Sequence, residues 1–325
     1  MLTREKLQEL AAEHAISADF LEKVSMLIRL LNGMSAHPFI GPRVALKGGT
    51  ALNLFVLDLP RLSVDIDINY IGSAEMATMN AERDKLDAAL VQTAARYGLS
   101  VKRAPSEHIG GKWRLSYTSV LGRPSTLEVD INYLLRVPLW EPELLNSRAF
   151  LGDQAKSIKV LNTHELAAGK LAALLSRGAV RDIFDARLLL DSDLDQELLR
   201  LAFVVYGGIN RVDWRTISSD AVKTSSEDVR NQLLPSLNRD FRPELKDLKS
   251  WTNTLVEETR ELLKNVLPFT DAEYEFLDRL NGRGEIAPSL ITSDPLMQQK
   301  ISANPGLKWK ALNVQKHIRG PKGPS

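Results

Sequence analysis

The chain has 325 residues, of which 44% are hydrophobic and 26% charged, and 42 Lys and Arg against 41 Asp and Glu leave a formal charge of +1. That length can bury a full core and suggests two domains, while near-neutrality excludes a whole-chain basic footprint and leaves nucleic acid only local patches. The lack of cysteine excludes disulfides, thiolate zinc sites and a cysteine nucleophile. With no apolar run near the ~18 residues of a membrane span, the expectation is a cytoplasmic protein without membrane contact.

Residues 3 to 33 read as one helix, with Leu7, Leu10, Phe20, Leu21, Val24, Leu27, Ile28 and Leu31 at helical spacing and a break at His37-Pro38. Val44-Ala45-Leu46 reads as a short strand, and Gly48-Gly49 as a turn into a helix from Thr50 to about Leu57. Residues 64–70 alternate: Val64, Ile66, Ile68 and Tyr70 face one way, Asp65, Asp67 and Asn69 the other, which predicts a strand with one buried face. A helix over 80–97 follows, then strands at 99–103, 112–120 and 126–133, with Gly122-Arg123-Pro124 as the last turn. From about 156 onward nearly every segment reads as helix. The expected architecture is α+β: a head with a mixed sheet over residues 1–155, then a helical C-terminal domain over 156–325.

Val64 to Tyr70 is echoed by Leu127-Glu128-Val129-Asp130-Ile131-Asn132-Tyr133. Two such strands side by side would aim Asp65, Asp67, Glu128 and Asp130 at one patch. Carboxylates so placed repel one another unless cations neutralise them. Hard divalent ions such as Mg²⁺ prefer carboxylate and phosphate oxygens, so the cluster predicts a metal that also holds nucleotide phosphates. A lone Asp-x-Asp would more often be a solvated strand face. Lys47-Gly48-Gly49-Thr50 just upstream shifts the balance, because a glycine turn opening a helix exposes free backbone N–H groups to phosphate, and Thr50 could cap that helix or donate to a phosphate oxygen.

Asn162-Thr163-His164-Glu165 has the pattern of a capping box opening a helix that carries Lys170. If that helix runs on through Gly178, Arg177, Arg181 and Asp185 fall within about 60° of Lys170, with Asp182 about 120° away. The plain alternative is a solvated charged face with i,i+4 pairing. Opposite bound triphosphate the same cations would neutralise its charge.

Taken together, Leu46-Lys47-Gly48-Gly49-Thr50-Ala51-Leu52, Arg61-Leu62-Ser63-Val64-Asp65-Ile66-Asp67, Glu165-Leu166-Ala167-Ala168-Gly169-Lys170-Leu171, Arg177-x3-Arg181-Asp182-Ile183-Phe184-Asp185 and Pro305-Gly306-Leu307-Lys308-Trp309-Lys310 resemble the AbiEii/AbiGii toxin family, which includes MenT-like nucleotidyltransferases. The resemblance implies a DNA-polymerase-β-like head, with Lys47, Gly48, Gly49, Thr50, Ser63, Lys170, Arg177 and Arg181 binding nucleotide. It implies Mg²⁺, plausibly two ions, on Asp65, Asp67 and Asp130, with Glu128 the alternative third carboxylate, and Lys170 and Asp185 completing the catalytic set. It further implies an NTP substrate, an RNA acceptor such as a tRNA 3′ end, and a cognate antitoxin encoded alongside in a type IV toxin–antitoxin or phage-defence pair. The other readings are a transferase acting on a protein or small molecule, and a non-catalytic nucleotide- or RNA-binding regulator. Independently, residues 295–325 hold Lys300, Lys308, Lys310, Lys316, Arg319 and Lys322, no acid, and Trp309: either an RNA grip or a solvated tail.

Overall fold

A computed structural model describes residues 3–104 and 111–319; Lys322 lies outside them. Contacts gather the chain into two compact units. The first takes residues 1–162 and, out of sequence, Glu227–Leu248; the second takes Thr163–Ser226 and the chain after Leu248. The first unit therefore runs past the boundary expected at residue 155, and the chain re-enters it about 65 residues later.

The first unit is built on seven strands: β1 (Val44–Lys47), β2 (Asp65–Tyr70), β3 (Ser100–Ala104), β4 (Gly111–Thr118), β5 (Pro124–Asn132), β6 (Glu143–Leu145) and β7 (Ile158–Val160). Their order is β3-β4-β5-β2-β1-β7-β6. β2 runs parallel to β5, and β1 parallel to β7, while the remaining neighbours are antiparallel. β6 and β7 were not expected: three residues each are too few for a period-2 pattern to register. The alternation on β2 places Ile66 and Ile68 in the core, as Val129 and Ile131 are on β5 and Trp113 and Leu115 on β4. Along β2 the polar face closes at its far end, because Asn69 is buried too.

Helices α1 (Arg4–His14) and α2 (Ala18–Ala36) replace the single helix expected over 3–33. Ala15 is left-handed at φ 54°, and the Ser17 hydroxyl accepts from the Phe20 N–H to start α2 afresh. Apolar positions of α2 (Leu21, Val24, Leu27, Ile28) and of α4 (Met76–Arg96; Leu86, Ala89, Leu90) are buried, and both helices pack against the sheet. Burying each of the Leu, Ile and Val side chains stabilises the unit by about 1.5–3 kcal/mol. Between β1 and β2 lies α3 (Gly48–Ala51), continued by a wider turn over Leu52–Val56.

The second unit is helical: α5 (Thr163–Arg177), α6 (Val180–Leu190) and α7 (Gln196–Ile209), then α9 (Leu248–Leu262), α10 (Asp271–Arg283), α11 (Pro295–Ala303) and α12 (Pro305–Ile318); a short turn, α8 (Ser226–Asp228), spans the crossing into the first unit. The continuous helix considered through Gly178 does not form: Gly178 adopts φ +64° and ends α5, so Lys170 and Asp185 do not lie on one helix. Of the basic stretch, Pro295–Ala303 and Pro305–Ile318 form α11 and α12. There Lys310 Nζ donates to the Asn210 carbonyl at 2.8 Å, while Lys308, Lys316 and Arg319 are exposed.

Among the described residues, no helix is long and apolar enough to cross a membrane.

Candidate active site

Pairing of β2 with β5 sets the carboxylates in two rows. Asp65 stands beside Glu128 and Asp67 beside Asp130, with Lys47 of β1 on the other side of Asp67. In a parallel pair, neighbouring residues project to the same face, and neighbouring strands lie about 4.8 Å apart, so the echo between the two sequences becomes a shared acidic patch.

The rows differ in charge balance. Glu128 is engaged by Lys112 Nζ at 2.6 Å and by Arg114 Nη2 at 3.3 Å, and the Lys112 hydrogen bond, opposed by partial burial and aided by Arg114, holds its carboxyl below the usual range. Asp130 is pushed the other way. Partial burial and then the charge of Asp67 raise its pKa, against the weaker pull of Lys47 and Lys112. Of the two candidates for third carboxylate, Glu128 is thus held by direct cation contacts, while Asp130 is raised by burial and by Asp67.

The glycine turn is pressed onto this patch. Gly48 has φ +72°, and a β-carbon there would fall 2.3 Å from Asp67 Oδ2 and 2.9 Å from Asp67 Cβ. Both conformation and space demand glycine. At Gly49 an added β-carbon would meet Ser63 Oγ at 2.9 Å and Arg61 Nη2 at 3.0 Å. Lys47, Gly48, Gly49, Ser63, Asp65, Asp67 and Asp130 are therefore gathered within one unit.

Thr50 is fully buried, and its hydroxyl donates to the Asp65 carbonyl at 2.5 Å; it does not cap α3, whose N-cap is Lys47. It fastens the turn to the aspartate strand. Asn53 Nδ2 adds a bond to the Gly49 carbonyl at 2.8 Å.

Sequence reasoning missed Arg61. Its only signal was its place four residues before Asp65, in a run matched as a whole; what marks it in space is burial, at 3% exposure, beside Gly49.

In the second unit, Lys170 Nζ lies 2.9 Å from Asp182 Oδ1 and 2.9 Å from Asp185 Oδ2, with side-chain exposures of 7%, 2% and 0%. Arg177 Nε reaches Asp182 Oδ2 at 2.7 Å. Burial opposes ionisation of Asp182, but Arg177 and Lys170 outweigh it and hold the carboxyl below its usual range. The break at Gly178 turns Asp182 toward Lys170, which an unbroken helix would have kept apart. Arg181 is exposed.

Among the described residues no three His, Cys, Asp or Glu side chains form a ready metal cage. The donors on the patch still fit Mg²⁺, because they are hard carboxylate oxygens and that ion is usually held by one or two carboxylates plus substrate phosphates. The repulsion between Asp67 and Asp130, which Lys47 and Lys112 only offset in part, is what such a cation would relieve.

The fold is shared with MenT4, a nucleotidyltransferase toxin from Mycobacterium tuberculosis H37Rv: 97% of this chain aligns with 100% of that one, at 19% identity and a TM-score of 0.59. A family model described as nucleotidyl transferase AbiEii toxin, type IV toxin–antitoxin system, matches residues 29–272. No curated protein matches the sequence. Fold and family together define a nucleotidyltransferase that draws on NTP. The chain belongs to the AbiEii family of type IV toxin–antitoxin toxins, a class that implies a cognate antitoxin.

Proposed function

We propose that this toxin transfers a nucleotidyl group from an NTP, with Mg²⁺, to an RNA 3′-hydroxyl, and that the acceptor is a tRNA end in the cytoplasm. The observation that carries the reading is the Gly48-Gly49 turn seated directly on Asp67, beside Asp65 and Asp130. In this reading the backbone of the turn and Ser63 hold the triphosphate, and Lys47 adds charge beside Asp67. Asp65, Asp67 and Asp130 would hold Mg²⁺, which when bound stabilises the attacking and leaving oxygens. The acceptor 3′-oxygen bonds to the α-phosphorus as the bond to the bridging oxygen breaks, and pyrophosphate leaves. We assign the hydroxyl proton to Asp130 rather than to Asp185, whose carboxylate is fully buried against Lys170.

RNA is supported by cations on the same sheet face as the acids: Lys112 and Arg114, 47% and 60% exposed, cross-strand from Asp130 and Glu128. Exposed Lys308, Lys316 and Arg319 of α12 offer a second, weaker handle. In the second unit we read Lys170, Asp182 and Asp185 as an ion cluster that sets local geometry, with Arg177 clamped to it and Arg181 the cation left open to a phosphate.

The test is incubation with each α-labelled NTP and total RNA, with Mg²⁺ or with EDTA. Label should enter a small-RNA band for one NTP and only with the metal. Label on protein or on a small molecule instead would replace the acceptor, and no transfer of any NTP would remove the reading.

A further inference from the structure

The segment Glu227–Leu248 leaves the helical sequence around it and packs into the first unit, where it meets the approach to the aspartate strand. Arg61 forms an antiparallel bridge with Leu237. The Leu62 N–H donates to the Ser236 carbonyl at 2.8 Å, and the Asn238 N–H to the Pro60 carbonyl at 3.0 Å. Ser236 and Leu237 are buried at 1% and 0% exposure, so these bonds are shielded from water. Residues 236–238 are bridged to residues 60–62, just before Ser63 and Asp65.

What this arrangement secures is a guanidinium. Arg61 is 3% exposed, and taking an ionised group that far from water is costly unless its surroundings are arranged for it. Nη1 donates to the Leu62 carbonyl at 3.1 Å, which turns the fork, and Nη2 comes to rest against Gly49. The turn has neither side chain nor slack, with Gly48 against Asp67 and Gly49 against Ser63 and Arg61.

We propose that Arg61 is a positioning residue for nucleotide binding: it fixes the Gly48-Gly49 turn and lends it positive charge, and residues 236–238 hold Arg61 in place for that task. The proposal rests on the reading that this turn receives the NTP triphosphate. A positive charge fixed behind the turn favours an anion in front of it without any loss of side-chain freedom on binding. Carrying the same charge on a mobile surface side chain would not have that effect.

The experiment is calorimetric titration of the full chain with each of the four NTPs and Mg²⁺, which needs no acceptor and returns both Kd and the fraction of active molecules. Three variants are compared with the wild type: Arg61→Gln, Arg61→Lys and Asn238→Pro. The last removes the N–H that binds Pro60. It suits the backbone, since Asn238 has φ −63° and Leu237 before it is extended at ψ 136°. Arg61→Gln should weaken NTP binding tenfold or more, Arg61→Lys should recover part of it, and Asn238→Pro should weaken it about threefold. All should bind at unchanged stoichiometry. A purely structural residue would instead reduce the active fraction at unchanged Kd, and that result, or wild-type affinity in Arg61→Gln, overturns the proposal. Should Arg61→Gln not fold, Asn238→Pro decides by the same two readouts. Absence of NTP binding by the wild type would overturn the functional reading beneath it, a distinct outcome.

Discussion

Two clusters of ionised side chains, one in each unit, use the same residue types to opposite ends. On the β2–β5 face, Asp67 and Asp130 stand side by side, with Lys47 and Lys112 as their other cross-strand neighbours, and burial and the charge of Asp67 still drive Asp130 above its usual pKa. Between α5 and α6, Lys170 and Arg177 meet Asp182 and Asp185, two charges of each sign, and Asp182 is driven below its usual pKa. One cluster sets two like charges side by side. The other is complete in itself. Both come from motifs that look catalytic in sequence, and charge balance with burial is what separates them.

The contrast can be broken most directly at the open cluster. Asp65→Ala or Asp67→Ala should cut nucleotide transfer by about 10²–10³-fold or more, the scale of losing one principal electrostatic stabiliser. For Asp67→Ala the melting temperature should hold or rise, because its repulsion with Asp130 is relieved. Full transfer by both single variants at matched Mg²⁺ would show that the patch is only a solvated strand face.

At the closed cluster the signs invert. Lys170→Ala strands Asp182 and Asp185 without their shared cation, and breaking a buried pair of this kind costs about 3–5 kcal/mol. Chemical denaturation should report that loss. Turnover measured well below the variant's melting point tells whether Lys170 also neutralises triphosphate, in which case a fall of at least about tenfold, or ~1.4 kcal/mol, persists in the folded protein.

Acid sharpens the same point by a smaller amount. Asp182 has a depressed pKa when folded, so its stabilising contribution is present above its unfolded pKa of about 3.9 and is lost as pH falls through the lower folded value. Melting of the wild type should fall steeply below about pH 4, and Asp182→Asn should start lower and show a shallower acid slope. Equal slopes would place the acid-sensitive group elsewhere.

The smallest effect belongs to charges that are neither crowded nor buried. Changing Lys308, Lys316 and Arg319 to Gln should lower the salt slope of RNA binding by up to about 2 in log–log terms, at roughly 0.7 per phosphate of single strand. Lys310 is left out because its ammonium already serves the Asn210 carbonyl. An unchanged slope would reduce the exposed face of α12 to solvation.

Much of this was readable in advance where structure is periodic. The alternation of residues 64–70 and its echo at 127–133 place the acids on one face, and the pairing of Asp67 with Asp130 follows from two similar strands lying in register. Gly48 and Gly49 could be read as a turn, though only the crowding by Asp67, Ser63 and Arg61 explains why both are glycine. What stayed hidden depends on partners distant in sequence. Thr50 has an ordinary capping context, and its hydroxyl goes to Asp65 fifteen residues on. Arg61 is bridged to Leu237, far along the chain. The 100° arithmetic around Lys170 assumed a continuous helix, and one left-handed glycine undid it.

The return of residues 236–238 to the first unit also sets a schedule for the ribosome. All the acids of the patch have been synthesised by residue 130, yet the strand that holds Arg61 is more than a hundred residues behind. At about 5–20 residues per second, that interval is several seconds or longer. Throughout it the nascent chain has its carboxylates but not its finished turn. A fragment ending before residue 227 would carry every acid of the patch, paired on β2 and β5, without the segment that bridges to Arg61.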